Sequence, residues 1–312
     1  MATAFIFPGQ GSQQVGMGKA LVESFAAART VFEEVDEALG EKLSATMWEG
    51  PAEALTLTAN AQPALLAVSI AVVRVLEQER GLDLARHAAF VAGHSLGEYS
   101  ALAAAGSLSL ADAARLLRVR GSAMQRAVPV GEGAMAALLG LDYEQAAEVA
   151  REAAAGEVCE AANDNAPGQV VVSGSKAAVE RAIALAQARG ARRAILLPVS
   201  APFHCALMQP AAEEMRDALR AAAVRAPVVP VIANVTAAPI QTPEDIRARL
   251  VEQVTGMVRW RESVAFMAGE GATRFVELGA GKVLTGLVKR IVEGASAEAV
   301  GIPEDVARFV PA

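Results

Sequence analysis

A short apolar run, Ala88-Ala89-Phe90-Val91-Ala92, breaks at Gly93-His94-Ser95-Leu96-Gly97 and gives way to helix formers from Glu98 to Ala105. The run is short and bounded by glycine, so it reads as a buried strand rather than an amphipathic helix. A G-x-S-x-G between a strand and a helix is the setting of a nucleophile elbow, although the five residues alone recur by chance. The turn is too sharp for side chains at its two ends, and it holds the serine hydroxyl out at the edge of the sheet. The helix that starts there turns free N–H groups and its positive end toward any oxyanion. Ser95 is the candidate nucleophile, and the fold class is α/β.

With 312 residues the chain can bury a sizeable core, and 53% hydrophobic against 20% charged residues is the balance of a globular protein. A formal net charge of -7 argues against a general nucleic-acid binder, which needs a basic face. No apolar run reaches the length of a membrane span, and Ala4 to Phe7 has no basic residues ahead of it, so it is not a signal peptide. Cys159 and Cys205 form neither a C-x-x-C motif nor a disulfide framework, which suits a reducing cytoplasm.

The first strand, Thr3 to Phe7, runs into Pro8-Gly9-Gln10-Gly11-Ser12-Gln13. This loop is either a tight strand-to-helix turn or half of an oxyanion hole, since α/β-hydrolase-type sites take one N–H from such an early loop. A dinucleotide fingerprint fails because Gln14 stands where the third glycine belongs. Pro63 to Gln78 reads as a buried helix. A further helix begins at Ser109, with a hydroxyl cap and Asp112 three residues on. On that helix Arg120 lies in the middle of the apolar face. Its charge needs an anionic partner, either an internal Asp or Glu or the carboxylate of a ligand held in a fork.

Residues 128 to 198 change character. Strand Ala134–Leu141, helix Tyr143–Ala155, strand Val158–Ala162, a turn over Asn163–Gly168, strand Gln169–Ser173, helix Lys176–Arg189 and strand Ala194–Val199 follow in order. This β-α-β-β-α-β pattern is a ferredoxin-like insertion. The chain returns through Ser200-Ala201-Pro202-Phe203-His204-Cys205 to alternating helices and strands. The last strand, Phe275 to Leu278, leads into Gly279-Ala280-Gly281-Lys282, which resembles a phosphate loop only superficially.

A nucleophilic serine needs a base, and the histidines are His87, His94 and His204. His94 adjoins the serine, where side chains diverge, and His87 lies at the far end of the elbow strand. His204 remains, either as the base or as a capping histidine.

The segments Phe7-Pro8-Gly9-Gln10-Gly11-Ser12-Gln13 and Gly93-His94-Ser95-Leu96-Gly97-Glu98-Tyr99, the Arg120 helix, Asn163 to Val172 and the His204 loop share one order and approximate spacing with a known family. The chain resembles the malonyl-CoA:acyl carrier protein transacylases from about residue 3 to residue 292. The resemblance implies an α/β-hydrolase-like catalytic core over 1–127 and 199–312 with a ferredoxin-like subdomain over 128–198. It implies Ser95 as nucleophile, His204 as base, Gln10 and Leu96 as backbone oxyanion donors, and Arg120 on the malonyl carboxylate. Asn163 falls among the substrate-binding residues, and the carbonyl of Gln253 orients the histidine, so no acidic third member is expected. The residue before the histidine is often Ser in stand-alone relatives. Phe203 is similar to the residue with which polyketide acyltransferases select malonyl over methylmalonyl, although Ala201-Pro202 do not complete that pattern.

The same resemblance implies a cytoplasmic monomer that moves malonyl from malonyl-CoA to the phosphopantetheine thiol of an acyl carrier protein, supplying extender units for fatty-acid synthesis. It implies no bound cofactor and no metal, and neither nucleic acid nor membrane as a partner. Arg189, Arg192, Arg193, Lys282, Lys289 and Arg290 are the basic candidates for a carrier contact. A serine hydrolase with water as acceptor and a non-catalytic carrier-binding protein are the competing classes.

Overall fold

The computed structural model describes residues 2–311. In chain order its strands are β1 (Ala2–Phe7), β2 (Phe90–Gly93), β3 (Gly133–Leu139), β4 (Cys159–Ala166), β5 (Gln169–Ser175), β6 (Arg193–Leu196), β7 (Val231–Ala233), β8 (Ala238–Ile240), β9 (Ala272–Leu278) and β10 (Ser296–Val300). They form two sheets. The larger runs β10-β9-β1-β2-β7-β8, parallel except for the β7–β8 hairpin. Its central strands are covered on both faces, which is why Ala4 to Phe7 and Val91-Ala92 are continuous apolar runs without alternation.

The smaller sheet, β4-β5-β3-β6, is antiparallel throughout. Its side chains alternate. Ala134, Ala136, Leu138, Val170 and Val172 pack with residues of helices Tyr143–Ala154 and Lys176–Ala188 in a core of their own. The residues between them, Met135 and Val171, join the main core and face the rim of the large sheet.

Four expectations change. Helix formation begins at Thr58 rather than Pro63 and continues to Arg80. At 23 residues this helix is long and apolar enough to cross a bilayer, contrary to the reading of no such run. It is the central core helix, buried at every position from Ala61 to Val73, and that packing outweighs the backbone hydrogen bond Pro63 cannot donate. Residues Asn163 to Ala166 are not a turn but the end of β4, carried past two register shifts. The short strands β8 and β10 and the helix Pro303–Arg308 were not anticipated, being too brief for periodicity to mark. The Gly279–Lys282 turn closes over a carboxyl group of the chain itself. Glu277 accepts hydrogen bonds from Leu284 N (3.2 Å), Thr285 N (2.8 Å) and Thr285 Oγ1 (2.8 Å) where a phosphate loop would put a phosphate.

Candidate active site

β2 delivers the elbow. A Cβ on Gly93 would lie 1.9 Å from the Gly97 carbonyl carbon, and one on Gly97 would lie 2.3 Å from the Phe7 oxygen, so only glycine lets the turn close against β1. Ser95 adopts φ 52°, a left-handed conformation that costs a non-glycine residue about 1–3 kcal/mol and aims its hydroxyl out of the turn. Asn234, just beyond β7, locks the bend: its Oδ1 accepts from Ser95 N at 2.7 Å and its Nδ2 donates to Gly93 O at 2.7 Å. The N–H groups of Leu96 and Gln10 donate to no group among the described residues. Gln10 lies on the wall of the cleft, and the Thr58 hydroxyl donates to its Oε1 at 2.8 Å.

His204 comes from the loop that returns from the small sheet. Its Nε2 lies 2.7 Å from Ser95 Oγ. Its Nδ1 lies 2.9 Å from the carbonyl of Gln253 and 3.1 Å from that of Gly256. Two carbonyls can only accept, so Nδ1 carries the proton and Nε2 presents a lone pair to the serine. Burial, reinforced by the neighbouring Arg120 charge, lowers the His204 pKa to about 3, so the ring is neutral at pH 7. His94 is half-buried and its ring is engaged elsewhere, its Nε2 2.8 Å from Asn165 Oδ1 and its ring 5.7 Å from that of Trp260. His87 accepts from Asp83 N at 3.0 Å near the far end of the strand.

Arg120 is 2% exposed. Its guanidinium donates to Gln62 Oε1 (2.8 Å), Gln253 Oε1 (2.8 Å) and Ser95 Oγ (3.2 Å), all neutral acceptors. The internal ion pair left open by the sequence is therefore not made, and the charge is held at the serine without a bonded carboxylate. Gln253 serves twice, its backbone carbonyl on His204 and its side chain on Arg120.

Phe203 and Asn163 line the same cleft of about 600 Å³ together with Gln10, His94, Ser95, Met135, Asn165, Val171, Leu197, Pro198, Val199 and His204. Asn163 is 6% exposed and bridges to Val258. Among the described residues no group of three or more His, Cys, Asp or Glu could hold a metal ion.

Such a site, a Ser–His pair beside an arginine with no bonded carboxylate, can acylate the serine and hold an anionic acyl group. Residues 4–310 match the family described as acyl transferase domain. The malonyl CoA-acyl carrier protein transacylase of Bacillus subtilis (strain 168) is 50% identical over 304 residues, covering 97% of this chain and 94% of that one. The chain belongs to this transacylase family. Crystal structures agree. The acyl-carrier-protein S-malonyltransferase from Bartonella henselae superposes with a TM-score of 0.96 at 58% identity, covering 99% of this chain and 98% of the other. The acyl carrier protein S-malonyltransferase of Vibrio cholerae O1 biovar eltor str. N16961 gives 0.95 at 46%, covering 99% of each.

Within this transacylase fold, several polar residues at the site escaped the sequence reading. Gln62, Asn234, Asn165 and Glu98 are held by partners distant in sequence, which no local periodicity reports. Glu98 alone left a signal, a carboxylate at the head of an otherwise apolar helix, Gly97–Ala104. Of the basic candidates, Arg189 pairs with Glu148 and Glu152, and Arg290 donates to Gln169 and the Pro167 carbonyl. Arg192, Arg193, Lys282 and Lys289 remain; both arginines are exposed, and the two lysines line a separate cavity.

Proposed function

We propose that this chain carries malonyl from malonyl-CoA, through an ester on Ser95, to the phosphopantetheine thiol of an acyl carrier protein. The observation that carries the reading is the meeting of three groups at one hydroxyl: Ser95 Oγ lies 2.7 Å from His204 Nε2 and 3.2 Å from Arg120 Nη2. His204 takes the Ser95 proton as the oxygen attacks the thioester carbonyl. The N–H groups of Gln10 and Leu96 receive the oxyanion, each contributing about 3 kcal/mol to the barrier reduction. The tetrahedral centre collapses and expels CoA thiolate, which takes the proton from His204. The carrier thiol then repeats the sequence in reverse, giving its proton to His204 and displacing the Ser95 oxygen, which recovers it. Gln253 and Gly256 keep Nδ1 protonated through both halves. Arg120 forms a fork on the malonyl carboxylate and makes neutral acyl groups poorer competitors.

In this reading 1–127 and 199–312 are an α/β-hydrolase-like core, and 128–198 is a ferredoxin-like subdomain that roofs the acyl site. The strand order β4-β5-β3-β6 and the separate core behind that sheet support the division. Phe203, 8% exposed on the cleft wall, favours an unbranched malonyl group, and Asn163 contacts the incoming thioester arm. The enzyme works as a cytoplasmic monomer without a bound cofactor, its two cysteines free. Incubation with malonyl-CoA and a phosphopantetheinylated carrier tests the reading. Malonyl on the carrier thiol is expected; free malonate with an unloaded carrier would indicate a hydrolase.

A further inference from the structure

One carboxylate behind Ser95 takes no part in that proton transfer. Glu98 is fully buried in the helix that starts at the elbow. Its Oε2 accepts from Asn234 N at 3.0 Å and from Gln253 Nε2 at 2.7 Å, while its Oε1 has no hydrogen-bond partner. A buried charge of this kind is costly unless an opposite charge offsets it. Arg120 presents the complementary problem, a buried cation whose bonded acceptors are all neutral.

Gln253 joins the two. Its amide oxygen faces the guanidinium and its amide nitrogen faces the carboxylate, at 2.8 and 2.7 Å, so its dipole is aligned between the charges. A direct Arg120–Glu98 pair would occupy the fork an acyl carboxylate needs. With one amide between them, the cation is balanced and its serine-facing side stays open.

Building on the transacylase reading, we propose that Glu98 is a positioning residue and the remote counter-charge of Arg120, which it balances in the empty site and yields to the incoming acyl carboxylate. Ionised Glu98 and the malonyl carboxylate compete for one cation, and the malonyl enzyme relieves the competition by taking a proton from solvent onto Glu98. The charged and titratable groups facing Glu98 are Arg120, from helix Leu110–Ala127, and Tyr99 beside it; Gln253 and Asn234, from the other elements, are neutral. Burial raises the Glu98 pKa to about 7 against the opposing pull of its hydrogen bonds and of Arg120. Below pH 7 the carboxyl is neutral and the pull of Arg120 on malonyl is strongest; above it the pull weakens.

The test is the ratio of kcat/KM for malonyl-CoA to that for acetyl-CoA, measured from pH 6 to pH 8. Both donors carry the same CoA phosphates, and both need the same serine and histidine, so their titrations cancel in the ratio. The wild-type ratio is expected to fall by about threefold to tenfold across the window, the effect of one added charge near a partly screened cation. Glu98→Gln keeps an oxygen for both hydrogen bonds, because both land on Oε2, and it removes the charge while placing an amide NH2 where Oε1 has no partner; its ratio should not change with pH. A ratio that does not change with pH in the wild type, or one that still falls in Glu98→Gln, overturns the proposal and leaves the transacylase reading intact. Absence of malonyl transfer at every pH would overturn both. The wild-type arm decides the matter even if the variant fails to fold.

Discussion

Two walls of the cleft differ in kind. The floor, at the rim of the parallel sheet, is polar and cross-bonded: Ser95, His204, Arg120, Gln62, Gln253, Glu98 and Asn234 form one hydrogen-bonded set. The roof is mostly apolar, with Met135 and Val171 from the small sheet and Leu197, Pro198, Val199 and Phe203 from the returning chain; its polar side chains are Asn163 and Asn165 of β4. The floor fixes each group through at least one partner far along the chain, whereas the apolar side chains of the roof only shape space. Chemistry should therefore fail when the floor is cut, and selection should shift when the roof is trimmed.

The deepest cut is His204→Ala, which removes the proposed base and should slow acylation with malonyl-CoA and acetyl-CoA alike by about a hundredfold to ten-thousandfold, read by stopped-flow release of CoA. Next comes Arg120→Ala. Loss of a charge-assisted fork, about 3–4 kcal/mol, should lower kcat/KM for malonyl by roughly a hundredfold to a thousandfold, while acetyl transfer falls less than about tenfold. Equal losses for both donors in a folded protein would make Arg120 a structural residue only. The roof is probed by Phe203→Ser, which should narrow malonyl-over-methylmalonyl discrimination by about tenfold while leaving malonyl turnover close to wild type, measured by competition between the two donors.

The smallest expected effect concerns acid. With the His204 pKa at about 3, acetyl transfer should stay level from pH 8 down to pH 5; a limb near pH 6.5 would mean that the imidazole is not desolvated as described. The stability consequence has a definite sign. The unfolded chain protonates this histidine near pH 6.5 and the folded chain only near 3, so this group favours unfolding progressively as pH falls through that window.

The roof and the floor also differ in how far the sequence revealed them. The elbow was readable because Gly93 and Gly97 are dictated by a local clash, and the small sheet because its strands alternate with period two around two clear helices. Ser95, Arg120 and His204 stood out by chemical type, and the structure brings them to one point. Asn234 and Gln253 pair with the elbow across 139 and 158 residues, a relation set by the β2–β7 neighbourhood and by where helix Pro243–Thr255 ends. The sequence places Asn163 in a turn because its polar neighbours Asp164 and Asn165 hide the end of β4, where register shifts let a polar strand reach the cleft. The neutrality of the partners of Arg120 could not be read from composition, since acidic residues are plentiful elsewhere in the chain.

The central claim is that acyl groups pass through Ser95, and intact mass after brief mixing with malonyl-CoA tests it most directly. Wild type should gain one malonyl group that a carrier thiol removes, and Ser95→Ala should gain none. A malonyl adduct on Ser95→Ala, or turnover by that variant near the wild-type rate, would contradict the account.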